Sequence, residues 1–274
     1  PARATLISYE TPEQAARGGG KSRWRVSLDG RWDFKLTDSP EAAIRGARTT
    51  RGWSSFAVPG LWTMRGYEGP QYTNVQMPFA EAPPHVPEHN PTGIFRRTFS
   101  LPRGWRGRRV VLGLGGVEGK LAVTLNGQPV GLAKDSRTPA EFDVTALVRP
   151  RGPNELVVVL VKWSDASFVE DQDHWWHGGI SRGVYLRSDR IEDVFSHAGL
   201  TRDYRDGVLA VEALADEPLV ATLLDAHGRT IAHASLPLEG LEVKRVRQWS
   251  AEQPALYRLV VSLPDGESTS LAVG

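Results

Sequence analysis

The six residues Leu-Val-Val-Val-Leu-Val at positions 156–161 decide the fold class. This run is apolar throughout and mostly β-branched, which is typical of a fully buried central β-strand. Upstream, Trp32–Leu36 alternates apolar and polar residues with a period of two, as a half-buried strand does. Asn126-Gly127 is the favoured pair for a type I′ hairpin turn, with Leu121–Leu125 and Val130–Ala133 as its strands. Many short strands with Gly/Pro turns predict an all-β sandwich.

The strand pattern divides the chain into three parts. Residues 1–26 are predicted to form a loop-rich N-terminal arm, with one short helix at Pro12–Arg17. Residues 27–189 carry the sandwich just described. Residues 190–274 contain short alternating strands, among them Glu242–Trp249, at roughly 10–12-residue spacing, which favours an immunoglobulin-like sandwich.

Composition narrows the function classes. The 274 residues are enough for two domains, and the net charge of +1 gives no overall attraction to nucleic acid or acidic lipid. Without any cysteine, disulfides and thiolate metal sites are excluded, and a reducing cytoplasm is the simplest location. No run of 18 apolar residues occurs, so no transmembrane span is predicted. The first 30 residues also lack the apolar core of a signal peptide.

Two loop segments are candidates for a functional site. Residues 60–93 are rich in glycine, proline, asparagine and aromatic residues, and a loop this long is usually functional or tightly packed. Residues 163–179 follow the buried strand and hold four carboxylates, Asp165, Glu170, Asp171 and Asp173, among tryptophans and histidines. Carboxylates bind hard cations and accept hydrogen bonds from sugar hydroxyls, and tryptophan faces stack on sugars. A structural loop, in which the carboxylates cap turns and the tryptophans fill the core, explains the same pattern.

Other chemistry has weaker support. Glu170 and Asp173 have a spacing that a glycosidase pair could use, but such carboxylates usually come from separate elements on the two faces of the sugar. His85, His89 and His174 have no metal-site spacing, and a scattered surface location explains them.

Several blocks, in a fixed order, closely resemble glycoside hydrolase family 2 β-galactosidases. They are Gly69-Pro70-Gln71-Tyr72-Thr73-Asn74-Val75, the segment from Pro83 to Arg97, Leu125-Asn126-Gly127, Ser136–Asp143 and, most specifically, Trp163–Asp173. The resemblance implies a galactose-binding-like jelly-roll module over residues 27–189 and an immunoglobulin-like module over 190–274. Trp176 and Gly183 depart from it, because many members carry Arg and Asp there.

The resemblance also implies a site. In the family, a downstream (β/α)₈ barrel carries the two catalytic glutamates of a retaining mechanism, so no catalytic residue is expected in this chain. Asn74 resembles an asparagine that reaches the galactose site, and Val75 resembles a contact residue beside it. Asp173 resembles the aspartate that contacts a galactose hydroxyl and helps to bind a sodium ion, whose other ligands come from the barrel. Magnesium ligands of the parent enzyme are expected outside this chain.

We therefore expect a non-catalytic N-terminal fragment of a β-galactosidase, which contributes sugar-binding and sodium-site residues to the barrel. The expected partner is a β-galactoside, with no nucleic acid and no membrane, and with a homo-oligomeric full-length enzyme in the cytoplasm. A stand-alone carbohydrate-binding module and an oligomer-assembly module are the alternatives.

Overall fold

The computed structural model describes residues 6–74 and 76–274. Over these residues the chain is nearly all β-structure, which confirms the predicted class. The α-helices are α1 (Pro12–Arg17), α2 (Pro40–Ala47) and α3 (Ala166–Val169), and short 3₁₀ turns lie at Trp62–Met64 and Arg103–Trp105. Helix α1 has the predicted bounds; Thr11 caps it and a proline stands in its first turn. None of the helices described is long enough to span a membrane.

The chain forms two compact units. One comprises Ser27–Arg187, and the other combines Ser188–Gly274 with the described segment before Ser27. The segment that sequence analysis sets apart as an arm thus groups with the second unit. Its attachment there is local: the backbone N–H of Tyr9 donates to Ser268 O at 2.7 Å, and Tyr9 and Ala15 are buried against Val260.

The first unit is built from short antiparallel strands. They are β1 (Arg25–Ser27), β2 (Gly30–Thr37), β3 (Ser54–Val58), β4 (Gly60–Leu61), β5 (Gln71–Thr73), β6 (Thr92–Phe99), β7 (Val111–Leu114), β8 (Val117–Glu118), β9 (Lys120–Leu125), β10 (Gln128–Ala133), β11 (Ala140–Asp143), β12 (Asn154–Val161), β13 (His174–Trp176), β14 (Gly179–Ile180) and β15 (Val184–Arg187). The two larger sheets have the orders β10-β9-β12-β6-β2-β3 and β1-β15-β7-β11. Two small sheets, β13-β5 and β4-β14-β8, accompany them.

Strand β12 lies at the centre of the six-stranded sheet, as predicted, between β6 and β9. The prediction that it is buried on both faces is wrong in part. Leu156, Val158 and Leu160 are fully buried, whereas the valines between them are only half-buried. Helix α2, which contacts β2, β6 and β12, provides the cover on this second face. Sequence analysis did not predict α2, although Ser39 is a good N-cap before Pro40.

The inner face of the six-stranded sheet is a row of large apolar side chains. Phe34 lies opposite Phe95, Phe95 opposite Val158, and Val158 opposite Val123, and all four are buried. The rings of Phe34 and Phe95 have their centroids 4.7 Å apart. Each such side chain contributes about 1.5–3 kcal/mol of hydrophobic stabilisation. This row fixes the strand at whose end the 163–179 loop begins.

The hairpin between β9 and β10 turns as the sequence predicts. Asn126 and Gly127 have φ values of 54° and 78°, and positive φ at both positions defines a type I′ turn. The Asn126 amide also donates to Leu147 O and Asn154 Oδ1, both at 2.9 Å, so this asparagine anchors the turn as well as forming it.

The second unit pairs two further sheets. Its strands are β16 (Asp193–Leu200), β17 (Gly207–Leu214), β18 (Val220–Leu224), β19 (Thr230–Ser235), β20 (Leu238–Val243), β21 (Tyr257–Ser262) and β22 (Ser268–Val273). The sheet orders are β16-β17-β20 and β19-β18-β21-β22, and residues such as Ile191, Val211, Leu223, Leu259 and Val261 form the core. This arrangement is a β-sandwich.

One predicted strand of the second unit is wrong. The pattern at Glu242–Trp249 predicted a strand, but β20 covers Leu238–Val243 and ends there. Arg245 has φ 52°, a left-handed conformation that cannot continue a strand. The alternation of apolar residues beyond Val243 therefore belongs to a loop.

Candidate functional site

The two loop segments singled out in the sequence meet in a two-stranded ribbon. Strand β5, from the 60–93 loop, pairs antiparallel with β13, from the 163–179 loop. The register places Gln71 opposite Trp176, Tyr72 opposite Trp175, and Thr73 opposite His174. Two segments about a hundred residues apart in sequence thus form one element.

The ribbon brings two of the predicted site residues together. Asn74 follows Thr73 and Asp173 precedes His174, so the two residues stand side by side where the ladder ends. Both are exposed to solvent. Val75, the third predicted contact residue, lies outside the described residues.

Asp173 has a partner that sequence analysis did not assign. The Tyr72 hydroxyl donates a hydrogen bond to Asp173 Oδ1 at 2.6 Å, which is short, as charge-assisted O–H···O⁻ bonds are. This bond, with a smaller contribution from burial and from the negative charge, raises the pKa of Tyr72 above its ordinary value. Tyr72 therefore stays protonated and can keep donating. In the sequence, only the position of Tyr72 within the family-like block Gly69–Val75 pointed to a role for this residue.

Beneath the ribbon, the Trp176 side chain bonds the two strands to each other and connects them to the body of the first unit. Trp176 is buried, and its Nε1–H donates to Thr73 Oγ1 at 2.6 Å. Its ring packs 4.4 Å from that of His174 and 5.2 Å from that of Trp163, centroid to centroid. The departure from Arg at position 176 thus places an aromatic side chain in a buried aromatic layer.

A buried lysine supports the start of β5. The Lys162 side chain is fully buried, and its Nζ donates to Glu68 Oε1 at 2.6 Å and to Gln71 Oε1 at 3.1 Å. Burial lowers the pKa of Lys162, and the contact with Glu68 opposes that shift. The Trp62 indole donates to the other oxygen of Glu68 at 3.1 Å. Because Gln71 opens β5, this network ties the ribbon to β12, which Lys162 directly follows.

The other carboxylates of the 163–179 loop either hold neighbouring protein groups or are buried. Both carboxylate oxygens of Asp165 accept a hydrogen bond from Lys134 Nζ at 2.7 Å, and Glu170 Oε1 accepts from the backbone N–H of Ser136 at 2.7 Å. Glu170 is thereby committed to holding a loop, which argues against a catalytic pair with Asp173. Asp171 Oδ1 is buried without a hydrogen-bond partner among the described residues.

A local contact explains why glycine is favoured at position 183, where many family members carry Asp. A Cβ at residue 183 would come 3.1 Å from Asp29 Oδ2, and the same carboxylate accepts from the backbone N–H of Val184 at 2.8 Å. A second carboxylate at 183 would face Asp29 at close range, and like charges that near repel. Glycine leaves the Asp29 bond undisturbed.

Over residues 6–74 and 76–274, no three His, Asp or Glu side chains come together as a metal site. His85 and His89 are exposed and separate from the ribbon pairing. Asp173 offers an exposed carboxylate, which is the ligand type that hard cations take, but a cation needs further oxygen ligands to be held. The donor type fits sodium, and the ligand number requires groups beyond Asp173.

Comparison with known proteins agrees with this architecture. Residues 26–189 match the family model described as the sugar binding domain of glycosyl hydrolases family 2. A β-galactosidase of Alteromonas mediterranea is 36% identical over 287 residues, which cover 94% of this chain and 27% of the relative. A β-galactosidase of Priestia megaterium is 35% identical over 311 residues, covering 100% of this chain and 30% of the relative. The chain thus spans less than a third of the length of these curated relatives.

Solved structures support the fold alone. A β-glucuronidase from Ruminococcus gnavus superposes with a TM-score of 0.71 at 19% identity, over 92% of this chain and 45% of that one. A β-glucuronidase from an uncultured Clostridium sp. gives a TM-score of 0.71 at 20% identity, over 91% and 44%. The family match over more than half of the chain and the closer identity to curated relatives decide the assignment. The chain belongs to glycoside hydrolase family 2, and residues 26–189 are its sugar-binding domain.

Proposed function

We propose that this chain is the non-catalytic sugar-binding part of a retaining β-galactosidase, which removes terminal β-D-galactose from β-galactosides such as lactose. The observation that carries the proposal is the β5–β13 pairing, which sets Asn74 beside Asp173 in a chain 36% identical to a curated β-galactosidase. A (β/α)₈ barrel following this region would supply the two catalytic glutamates.

Each residue has a distinct task in this proposal. The Asp173 carboxylate accepts a hydrogen bond from a galactose hydroxyl, and the Asn74 amide, which can both donate and accept, contacts the same sugar. Val75 provides an apolar contact beside Asn74. These side chains bind and orient the sugar, and bond cleavage belongs to the barrel.

Asp173 also serves as one ligand of a sodium ion that the barrel completes. The sodium would neutralise part of the carboxylate charge and help to orient a sugar hydroxyl. Magnesium, with ligands outside this chain, belongs to the same proposal for the full-length enzyme. So do homo-oligomeric assembly and a cytoplasmic location, which the cysteine-free composition supports.

Substrate choice tests the proposal. The longer protein that contains this chain should hydrolyse a chromogenic β-galactoside, with kcat/KM far above that for the matching β-glucuronide and β-mannoside. The three substrates differ only in the sugar, so the comparison isolates sugar recognition. A preference for the glucuronide would overturn the substrate assignment and leave the family assignment standing.

A further inference from the structure

Asp173 lies in a short turn whose two ends are both held. The turn comprises residues 170–174 and leads from α3 into β13. At its far end, His174 pairs with Thr73 in the β5–β13 ribbon. At its near end, Glu170 is the C-cap of α3. The course of the backbone at Asp173 therefore depends on the contacts that fix these two ends.

Glu170 attaches the near end of the turn to a neighbouring loop. Its Oε1 accepts a hydrogen bond at 2.7 Å from the backbone N–H of Ser136, in the loop between β10 and β11. Ser136 is itself held, because its hydroxyl accepts from the backbone N–H of Gly119 at 2.9 Å. Gly119 has φ 93°, and a Cβ there would come within 2.3 Å of Val161 O. Two successive hydrogen bonds thus join Glu170 to backbone that is packed closely against the end of β12.

Glu170 also closes the turn on itself. Its carbonyl oxygen lies 3.2 Å from His174 Nε2, and a carbonyl can only accept, so Nε2 is the donor. On the other side of the ring, Nδ1 has Arg137 Nη2 at 3.3 Å as a donor and Trp175 O at 2.9 Å as an acceptor. A neutral ring with its hydrogen on Nε2 accepts from Arg137, and a charged ring donates to Trp175 O. The bond to Glu170 O is therefore made in both forms.

We propose that Glu170 is a positioning residue, which fixes the 170–174 turn and thereby places the Asp173 carboxylate for galactose and sodium. The proposal rests on the proposed function and deepens it, since it assigns a residue that acts on the sugar only through Asp173. Fixing both ends of a short loop removes backbone conformations that the open loop would sample. The role requires the acceptor oxygen and the length of the Glu170 side chain, and it does not require the negative charge.

The test compares two conservative variants in the longer protein that contains this chain. Glu170→Gln keeps the length and an acceptor oxygen for the Ser136 N–H, whereas Glu170→Asp keeps the charge and is one methylene shorter. Glu170→Asp should lower kcat/KM for a β-galactoside about tenfold and raise the sodium concentration for half-maximal activity by a similar factor. Glu170→Gln should stay close to the wild type. Asp165→Ala, which removes a bond to the same neighbouring loop from outside the turn, is the matched control and should behave as the wild type does.

A double variant shows whether Glu170 acts through Asp173. In the Asp173→Asn background, Glu170→Asp should cause no further loss of kcat/KM, because residues that act as a unit have non-additive effects. Multiplicative losses, an equal loss in Glu170→Gln, or wild-type kinetics in Glu170→Asp would overturn the proposal. So would a lower unfolding temperature in Glu170→Asp with unchanged sodium dependence, which is the result of a merely structural role. Failure of the proposed function would appear differently, as wild-type kinetics in Asp173→Asn itself, and would overturn both.

Discussion

At the scale of single residues, the contact between Tyr72 and Asp173 is the most informative one in the site. Asp173 is exposed, so hydration alone would leave its carboxylate free to rotate. The 2.6 Å hydrogen bond from Tyr72 to Oδ1 gives it a preferred orientation before any ligand arrives. A donor that is itself exposed can perform this task only while it keeps its proton, which the raised pKa of Tyr72 ensures.

This pairing predicts how the Tyr72 titration responds to a substitution. In Asp173→Asn the acceptor charge is gone, so the pKa of Tyr72 should fall back toward its ordinary value. Carbon-13 NMR of labelled tyrosine, followed through alkaline pH, measures the shift. Asp165→Asn is the matched control, because Asp165 bonds Lys134 instead. An unchanged Tyr72 titration in Asp173→Asn would show that the hydrogen bond does not persist in solution.

His177 gives a pH prediction. Burial lowers the pKa of His177 below its ordinary 6.5, and its Nδ1 lies 2.9 Å from Thr63 Oγ1. Near pH 6.5, His177 is therefore protonated in a larger fraction of unfolded chains than of folded chains. The free energy of unfolding should consequently decrease as the pH falls from about 7 through 6.5 toward the folded pKa.

Urea unfolding at a series of pH values measures this slope. His177→Gln, which keeps a hydrogen-bonding side chain but does not titrate, should flatten the pH dependence. His227→Gln, at an exposed turn position of the second unit, should retain the wild-type slope. Equal slopes in all three proteins would contradict the assignment to His177.

At the scale of elements, the β5–β13 ribbon depends on a support that is not part of its own ladder. Each strand has three residues, too few for a hairpin-sized unit to be stable alone. Lys162, Glu68 and Trp62 hold its start, and Trp176 holds its inner face. The position of Asn74 and Asp173 is therefore determined by residues to which the proposed function assigns no contact with the sugar.

Removal of Lys162 tests this support. In Lys162→Met the Glu68 carboxylate loses its cationic partner, and the free energy of unfolding should fall by about 2–3 kcal/mol; this is less than for a fully buried pair, because the Glu68 side chain is 24% exposed. Lys134→Met removes the exposed pair with Asp165 and should cost at most about 1 kcal/mol. Urea unfolding compares the two, and equal losses would mean that the buried network does not stabilise the ribbon.

Local elements could be predicted from the sequence, and pairings between distant segments could not. The Asn126-Gly127 turn and helix α1 follow from two to six neighbouring residues, so their signals are complete in the sequence. The β5–β13 ribbon pairs three-residue strands about a hundred positions apart, and neither is long enough to show a period. Trp175 was consequently noticed as one of a cluster of aromatic residues, and its exposure and its pairing with Tyr72 required the structure.

At the scale of the whole molecule, two β-sandwich units share one chain, and the candidate site belongs to the first of them. The family match covers this unit, and the curated relatives extend well beyond the chain. Asn74 and Asp173, the site residues that could be assigned from resemblance, directly follow β5 and directly precede β13, at the same end of the ribbon. In the proposed function both residues contact galactose in the longer protein, and Asp173 also binds sodium.

The most direct test of the central claim is the kinetics of Asp173→Asn in the longer protein, with a β-galactoside substrate and a sodium titration. Loss of a hydrogen bond to a charged group should lower kcat/KM about 10- to 100-fold and should weaken or abolish the dependence on sodium. Asp165→Asn, in the same loop, should behave as the wild type does. Unchanged kcat/KM and unchanged sodium dependence in Asp173→Asn would contradict the claim that this chain contributes residues to the galactose site.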